Sequence, residues 1–378
     1  MAASDSAIGG EAAIVGIGVA STREHRNWRG EDFAVDAARR ALDDAGIDKD
    51  SVDGLITCKA LGGGGVDTVM GRMLGLNPSY SASLDYGTCN FSIHLAAMVI
   101  SAGLASTVLL TYGTDQGSRG GDFSSYGGEN LYHGVVDTIG TLAALMFRRY
   151  QHIYGASETD LGAVVVTQRR WAELNPIAVH RGPLTVESYL AEPYYIAPVR
   201  RSDIAGFDDG GVALVITSKE RSRDFPHPAA DLVGMAQVAS LRNLQNKDNL
   251  ERRWMGDVAA RALRSAGIER DDIDILMIQD PASVWVLQMI EALGFAEPGG
   301  AGALLASGET SPGGRLPVNT SGGHLAERYM WGWLHIVEIV RQLRGVAGSR
   351  QVQNAKFALH ASTMVAQKGS VSVFRAAR

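Results

Sequence analysis

The feature that most constrains this chain is a duplication. Ala41, Leu42, Ala45, Gly46, Ile47, Asp50, Val52, Asp53 and Leu55 recur, in the same order and spacing, as Ala262, Leu263, Ala266, Gly267, Ile268, Asp271, Ile273, Asp274 and Leu276. Each copy reads as the end of a helix, a glycine stop, a short turn and the start of a strand. A chain of 378 residues exceeds what one compact core usually organises. Two copies are also too few for a stacked array. The repeat therefore predicts two related α/β halves about a pseudo-twofold axis. Later in each copy, a turn of small residues opens a long helix. In the first copy it is Tyr86-Gly87-Thr88-Cys89-Asn90. In the second it is Pro317 to Trp333, expected to open the helix running through His335 and Ile339 to Leu343. The two helix N-termini would then meet near the axis, one offering a thiol and the other His324 and Tyr329.

Composition places the halves. The N-terminal half is read as residues 1–225 and the C-terminal half as 226–378, with the junction at the proline-containing stretch 222–230. Residues from about 113 to 205 are rich in Gly, Ser, Tyr and His and occur in the first copy only. They are expected to form a lid or substrate-binding insert, with helices near Ile139–Tyr150 and Asp160–Glu173. A Gly16-x-Gly18 pair in the first strand lacks the third glycine and the immediate helix of a dinucleotide loop. The Gly62–Gly65 turn lacks the Lys-Ser/Thr of a phosphate loop.

Cys89 stands at the mouth of an almost wholly apolar helical run ending near Gly103. A thiol there lies at the positive end of the helix dipole, which favours the thiolate and makes the sulfur a nucleophile. The plainer reading, a small buried core residue, stays open. With Cys58 as the second cysteine, no disulfide framework exists, and a reducing cytoplasm fits. A net charge of −6 gives no reason to expect nucleic acid. No apolar run is long enough to cross a bilayer, and the polar start lacks a signal-peptide pattern. No His/Cys cluster has metal-ligand spacing, so no metal is expected.

Gly87-Thr88-Cys89 before a long helix, Asp209-Gly210-Gly211-Val212-Ala213, Val318-Asn319-Thr320-Ser321-Gly322-Gly323 and the ending Gly369 to Phe374 together carry a family likeness. Over essentially its whole length the chain resembles the thiolase superfamily. Within it, the chain is similar to the branch of sterol-carrier-associated thiolases and CoA-ester (steroid side-chain) aldolases. The resemblance implies a duplicated thiolase fold of five layers, α/β/α/β/α. It puts Cys89 on the family's acyl-accepting cysteine. It puts Tyr329, in Arg328-Tyr329-Met330, where the Gly-His-Pro motif carries histidine. Gln279-Asp280 falls on the pair that holds water or polarises a carbonyl. His360 lies in the stretch matching the family's second cysteine, which is absent. Asn319, Gly323 and His324 complete the set as supporting or oxyanion groups.

The function so implied is a CoA-dependent C–C bond enzyme. It would cleave a bulky β-keto acyl-CoA through an acyl-thioester on Cys89, with coenzyme A as co-substrate and no bound cofactor. The alternative is a retro-aldolase on a branched β-hydroxyacyl-CoA of steroid side-chain type, using Tyr329. A third reading is a non-catalytic thiolase-like scaffold. The resemblance also implies a homodimer core, a small OB-fold and zinc-ribbon partner subunit, and a cytoplasmic location. Taken alone, Tyr329 is equally a packed aromatic, His324 a helix-start residue, His360 a core histidine, and Asp280 an N-cap for the helix after Pro281.

Overall fold

The computed structural model describes residues 12–21, 27–59, 65–85, 89–120, 138–239, 253–364 and 368–377. The turn Tyr86-Gly87-Thr88, most of the Gly62–Gly65 turn and residues 121–137 of the insert lie outside them. In chain order the first half holds β1 (Ala12–Ser21), α1 (Gly30–Ala45), β2 (Gly54–Lys59), α2 (Asp67–Leu74), β3 (Tyr80–Asp85), α3 (Cys89–Ser101) and β4 (Thr107–Asp115). Then come α4 (Ile139–Tyr154), α5 (Glu158–Glu173), α6 (Val186–Ala191), the ribbon β5 (Tyr194–Ile196) and β6 (Val199–Arg200), and β7 (Asp209–Ser218). The rest is β8 (Ala230–Ala239), α7 (Met255–Ala266), β9 (Ile275–Ile278), α8 (Ser283–Ala292), α9 (Ala301–Ala306), α10 (Gly323–Ala326), α11 (Trp333–Leu343), β10 (Phe357–Met364) and β11 (Lys368–Ala376).

The duplication is visible in every joint it touches. Gly46 and Gly267 both adopt φ 67 and cap α1 and α7. Glycine takes that left-handed backbone at no steric cost. A 3-10 turn follows each, Lys49–Ser51 and Arg270–Asp272. The repeated aspartates explain their own recurrence. Asp53 accepts the N–H groups of Ser106 (2.9 Å) and Thr107 (2.7 Å) at the start of β4. Asp274 accepts those of Lys356 (2.7 Å) and Phe357 (2.9 Å) at the start of β10. Gly16 and Gly234 are a matched pair too: a β-carbon would meet the carbonyl oxygens of Ala41 at 2.3 Å and Ala262 at 2.2 Å. Gly16 thus lets α1 lie directly on β1, which is a packing role and no nucleotide loop.

The strands run β3-β2-β4-β7-β1-β8-β11-β10-β9. In the first half β1–β7 and β7–β4 are antiparallel, while β4–β2 and β2–β3 are parallel. The second half repeats this with β8–β11 and β11–β10 antiparallel and β10–β9 parallel. A single parallel bridge, Leu276 to Val318, stands where β3 stands in the first half. α1 covers β1, β7 and β4 on one outer face, and α7 covers β8 and β11 on the other. α3 and α11 lie between and touch strands of both halves. The five layers are therefore present. Hydrogen bonding departs from two separate sheets: Ala12, Ala13 and Ile14 pair with Leu232, Asp231 and Ala230, joining the half-sheets into one.

Within the Pro317–Trp333 stretch the short α10 ends and α11 starts afresh at Trp333, because Trp331 (φ 49) and Gly332 (φ 83) are left-handed and cannot continue a right-handed helix. The described part of the 113–205 insert is a packed layer: α5 lies against α8, α9 and α10, and α4 against α8. No helix among the described residues is long and apolar enough to cross a membrane.

Candidate functional site

The N-termini of the two central helices meet. Cys89 begins α3, and its N–H donates to the carbonyl of Trp331 just before α11, at 3.3 Å. An end donor of one helix is thus satisfied by the other half of the chain. Gly332 is the closest point of approach. A β-carbon there would lie 2.9 Å from His360 Cε1 and 3.1 Å from Cys89 Sγ, and the residue's φ is 83. Only glycine fits both conditions.

His360 comes from β10 and reaches the same point. Its Nδ1 lies 2.9 Å from Asn90 Oδ1 and 3.9 Å from Cys89 Sγ. The Asn90 amide nitrogen donates to the carbonyls of His360 (3.2 Å) and Ser370 (3.5 Å), which only a donor can satisfy. Asn90 Oδ1 therefore faces Nδ1 and accepts its proton. The lone pair is left on Nε2, which has no hydrogen-bond partner. Burial, with smaller contributions from His335 and His94, holds the His360 ring well below the usual histidine range, so it is neutral at pH 7.

Cys89 has no exposed surface. Burial pushes its thiol well above the ordinary cysteine value, and nearby Cys58 adds to this. The helix-start N–H groups of Asn90 and Cys89 act the other way but are smaller. This reverses the thiolate expectation: loss of hydration outweighs the helix end. The expected apolar core position and the helix-start position are both correct for Cys89.

The second half supplies a stack of rings. His335 on α11 stacks on His324 at 4.2 Å and meets His360 edge-on at 5.5 Å. Two backbone N–H groups approach His324, Gly332 at Nε2 (3.0 Å) and Asp280 at Nδ1 (3.4 Å). A neutral imidazole accepts only one. The shorter contact puts the lone pair on Nε2 and leaves Nδ1–H for Asp280 Oδ1 at 3.3 Å. His324 thereby pins the Gly332 turn. Asp280 also accepts the N–H groups of His324 (2.9 Å) and Leu325 (3.2 Å). It caps α10, next to Gly323 at that helix's start, whereas the N-cap of α8 is Ala282. The expectation that Asp280 caps the helix after Pro281 is corrected accordingly.

Asp280, His324 and His335 converge closely enough to suggest a metal-ligand set, a grouping that sequence spacing gave no sign of. The bonding opposes that use. One nitrogen of His324 accepts from Gly332, and the other carries the proton facing Asp280, so no lone pair is left for an ion.

Tyr329 is almost fully buried, its ring 4.6 Å from His324 and packed edge-on against Phe207 and Trp331. Its hydroxyl accepts from Gln279 Nε2 at 3.4 Å, and Gln279 Oε1 accepts from Ser362 Oγ at 2.6 Å. Tyr329 is both a packed aromatic and an oriented polar group. Asn319 braces the edge of β9. Its Oδ1 accepts from Ile278 N–H (2.7 Å) and its amide donates to Ile278 C=O (3.0 Å). These bonds extend the β9 edge. His94, one turn beyond Cys89, bonds Ser372 Oγ at 2.9 Å, and burial lowers its pKa to about 3.

The structure thus brings Cys89, His360, Tyr329, Gln279, Asp280 and His324 together. It adds Asn90, His335, Gly332 and Ser362, which sequence reasoning missed. Asn90 follows Cys89 directly, but nothing in the sequence says that β10 delivers a histidine to it.

Residues 236–376 match the family described as thiolase C-terminal domain-like. The chain is 31% identical to a steroid side-chain-cleaving aldolase of Thermomonospora curvata, over 97% of this chain and 98% of that one. It is 31% identical to the 17-hydroxy-3-oxo-4-pregnene-20-carboxyl-CoA lyase of Mycobacterium tuberculosis, over 90% and 93% of the two chains. Its structure is similar to that of the Ltp2-ChsH2(DUF35) aldolase, with a TM-score of 0.89 at 30% identity, covering 99% of this chain and all of that one (100%).

Proposed function

The chain belongs to the thiolase superfamily, beside the sterol-carrier thiolases and the CoA-ester aldolases, and from that premise we propose that it is a retro-aldolase acting on a branched β-hydroxyacyl-CoA. This reverses the order in which the sequence ranked its two enzymatic readings. The relatives are named for lyase and aldolase activity, which supports the change. The observation that carries it is the state of Cys89: a fully buried thiol, held above its usual pKa, whose nearest histidine nitrogen already carries a proton.

The reaction needs a base for the β-hydroxyl and a donor for the thioester oxygen. In our reading His360 Nε2 takes the hydroxyl proton. The bond between the α- and β-carbons breaks, and its electron pair moves into the thioester as an enolate. The Tyr329 hydroxyl, oriented through Gln279, donates to the enolate oxygen. The imidazolium then returns its proton to the α-carbon. A ketone and a shortened acyl-CoA leave, and no acyl-enzyme forms. The Tyr329 hydroxyl accepts from Gln279 through its oxygen and donates its own O–H in this step.

A bulky, steroid-like ketone half of the substrate is supported by the names of the two relatives. Coenzyme A enters as part of the substrate and no bound cofactor is required. A small partner subunit belongs to the same reading, by analogy with the DUF35 component of the solved aldolase. So does a homodimer, since β3 ends the sheet with one edge unpaired among the described residues. Thiolysis through Cys89 is the second reading, favoured by the place of the thiol at the start of α3.

The test is a substrate panel with the chain and its partner subunit. Release of a ketone from a branched β-hydroxyacyl-CoA, with no mass adduct from β-keto acyl-CoAs, is expected. An acyl adduct on Cys89 that free CoA discharges would replace this reading with thiolysis. Neither outcome across the panel would leave the scaffold reading.

A further inference from the structure

Asn90 is fully buried, and its amide is held at three points. Two of them, the carbonyls of His360 on β10 and Ser370 on β11, lie on adjacent strands. The third is the ring of His360 itself. A flipped amide would set its oxygen against both carbonyls, so the orientation is fixed by repulsion as well as by bonding. The groups facing His360 are Cys89, Asn90 and His94 of α3, His335 of α11, and the neighbouring β11 strand, with His324 of α10 also coupled to the ring; no carboxylate is among the groups that perturb it.

We propose that Asn90 is a positioning residue that fixes the tautomer of His360, directing the Nε2 lone pair to substrate and denying Cys89 the base that acyl transfer would need. With Nδ1 protonated and its proton given to Asn90, the S–H of Cys89 has no acceptor 3.9 Å away. Were the amide oxygen absent, Nδ1 could carry the lone pair instead. Nδ1 would then face the Cys89 S–H as an acceptor, 3.9 Å away. One side chain thus separates lyase from thiolase chemistry on a common scaffold. The consequence for turnover rests on the retro-aldolase reading; the tautomer does not.

The experiment is nitrogen NMR of the full chain labelled with 15N-histidine, followed by kinetics of two variants. The unaltered protein should show His360 protonated at Nδ1 and bare at Nε2; the opposite tautomer overturns the proposal. Asn90→Asp keeps an acceptor for the Nδ1 proton. Its second oxygen meets the carbonyls of His360 and Ser370, so the fold should be less stable, but it should retain more turnover than Asn90→Leu, with the acid limb of the pH profile moved to higher pH, since a carboxylate favours the imidazolium. Asn90→Leu should lose turnover about 100-fold and move the His360 proton from Nδ1 to Nε2 in the 15N spectrum. Equal losses in both variants, with the pH profile and the His360 signals unmoved, would mean a merely structural role and overturn the proposal. The tautomer seen in a protein that cleaves no β-hydroxyacyl-CoA would remove the retro-aldolase reading and leave the lock standing.

Discussion

Cys89 and Tyr329 invite opposite chemistries, and single substitutions separate them. Tyr329→Phe keeps the ring that packs on Phe207 and Trp331 and removes the hydroxyl that Gln279 orients. Turnover of a β-hydroxyacyl-CoA should fall roughly 100-fold or more, while the unfolding free energy changes by less than about 1 kcal/mol. Steady-state kinetics with a urea titration checks both, and unchanged turnover would sink the Tyr329 assignment. Cys89→Ser should keep retro-aldol turnover within a few-fold, because no covalent step passes through the sulfur. A near-complete loss in a folded protein would return the thiol to the centre. At this scale the sequence was a good guide to which residues gather and a poor one to their condition. Cys89, Tyr329, Gln279 and His360 could be singled out along the chain. That Cys89 would lose all hydration, or that Asn319 would bond Ile278 through both amide ends, depends on neighbours hundreds of bonds away.

The duplicated elements predict their own weak points. Asp53 gathers the N–H groups that open β4 and the hydroxyl of Ser106, and these bonds lower its pKa against the opposing effect of burial. Asp53→Ala leaves those donors unpaired and should cost about 1–3 kcal/mol in a denaturant titration. Hydrogen exchange should locate the loosening at the start of β4. The break between α10 and α11 makes a sharper case. Gly332→Ala forces a β-carbon to within 2.9 Å of the His360 ring at φ 83. It should destabilise the protein by about 1–3 kcal/mol and lower turnover, since it displaces His360 and Cys89 together. An alanine variant of full stability would show the turn to be looser than its geometry. The repeated glycine stops were legible because glycine alone suits them. The break at Gly332 was not, because an apolar, helix-forming sequence runs through it.

Across the whole molecule, the buried histidines tie stability to pH. The folded pKa of His94 is about 3, against 6.5 when unfolded. Protons therefore bind the unfolded chain first. The stability is complete above pH 6.5 and declines as pH falls from there towards 3. One unit below 6.5, at pH 5.5, His94 alone accounts for about 1.4 kcal/mol. His324 and His360 are held low by burial in the same direction and add to the decline. Chemical denaturation at pH 7.5 and pH 5.5 should show the loss, and equal stabilities would mean that these rings take up protons in place.

By itself the sequence determined the duplication, the helix stops, the strand joints and the cysteine at a helix start. All of these are local: they follow from backbone conformations and burial patterns that short stretches dictate. Only the tertiary structure decided what the site can do. It joined the half-sheets through three residue pairs, started the second central helix afresh at Trp333, and brought a histidine from β10 against Asn90 and Cys89. Proton position and ionisation depend on desolvation and on partners supplied by other elements, and a linear sequence does not state these. The same cysteine at the same helix start can be a nucleophile or an inert thiol, and its surroundings choose between them.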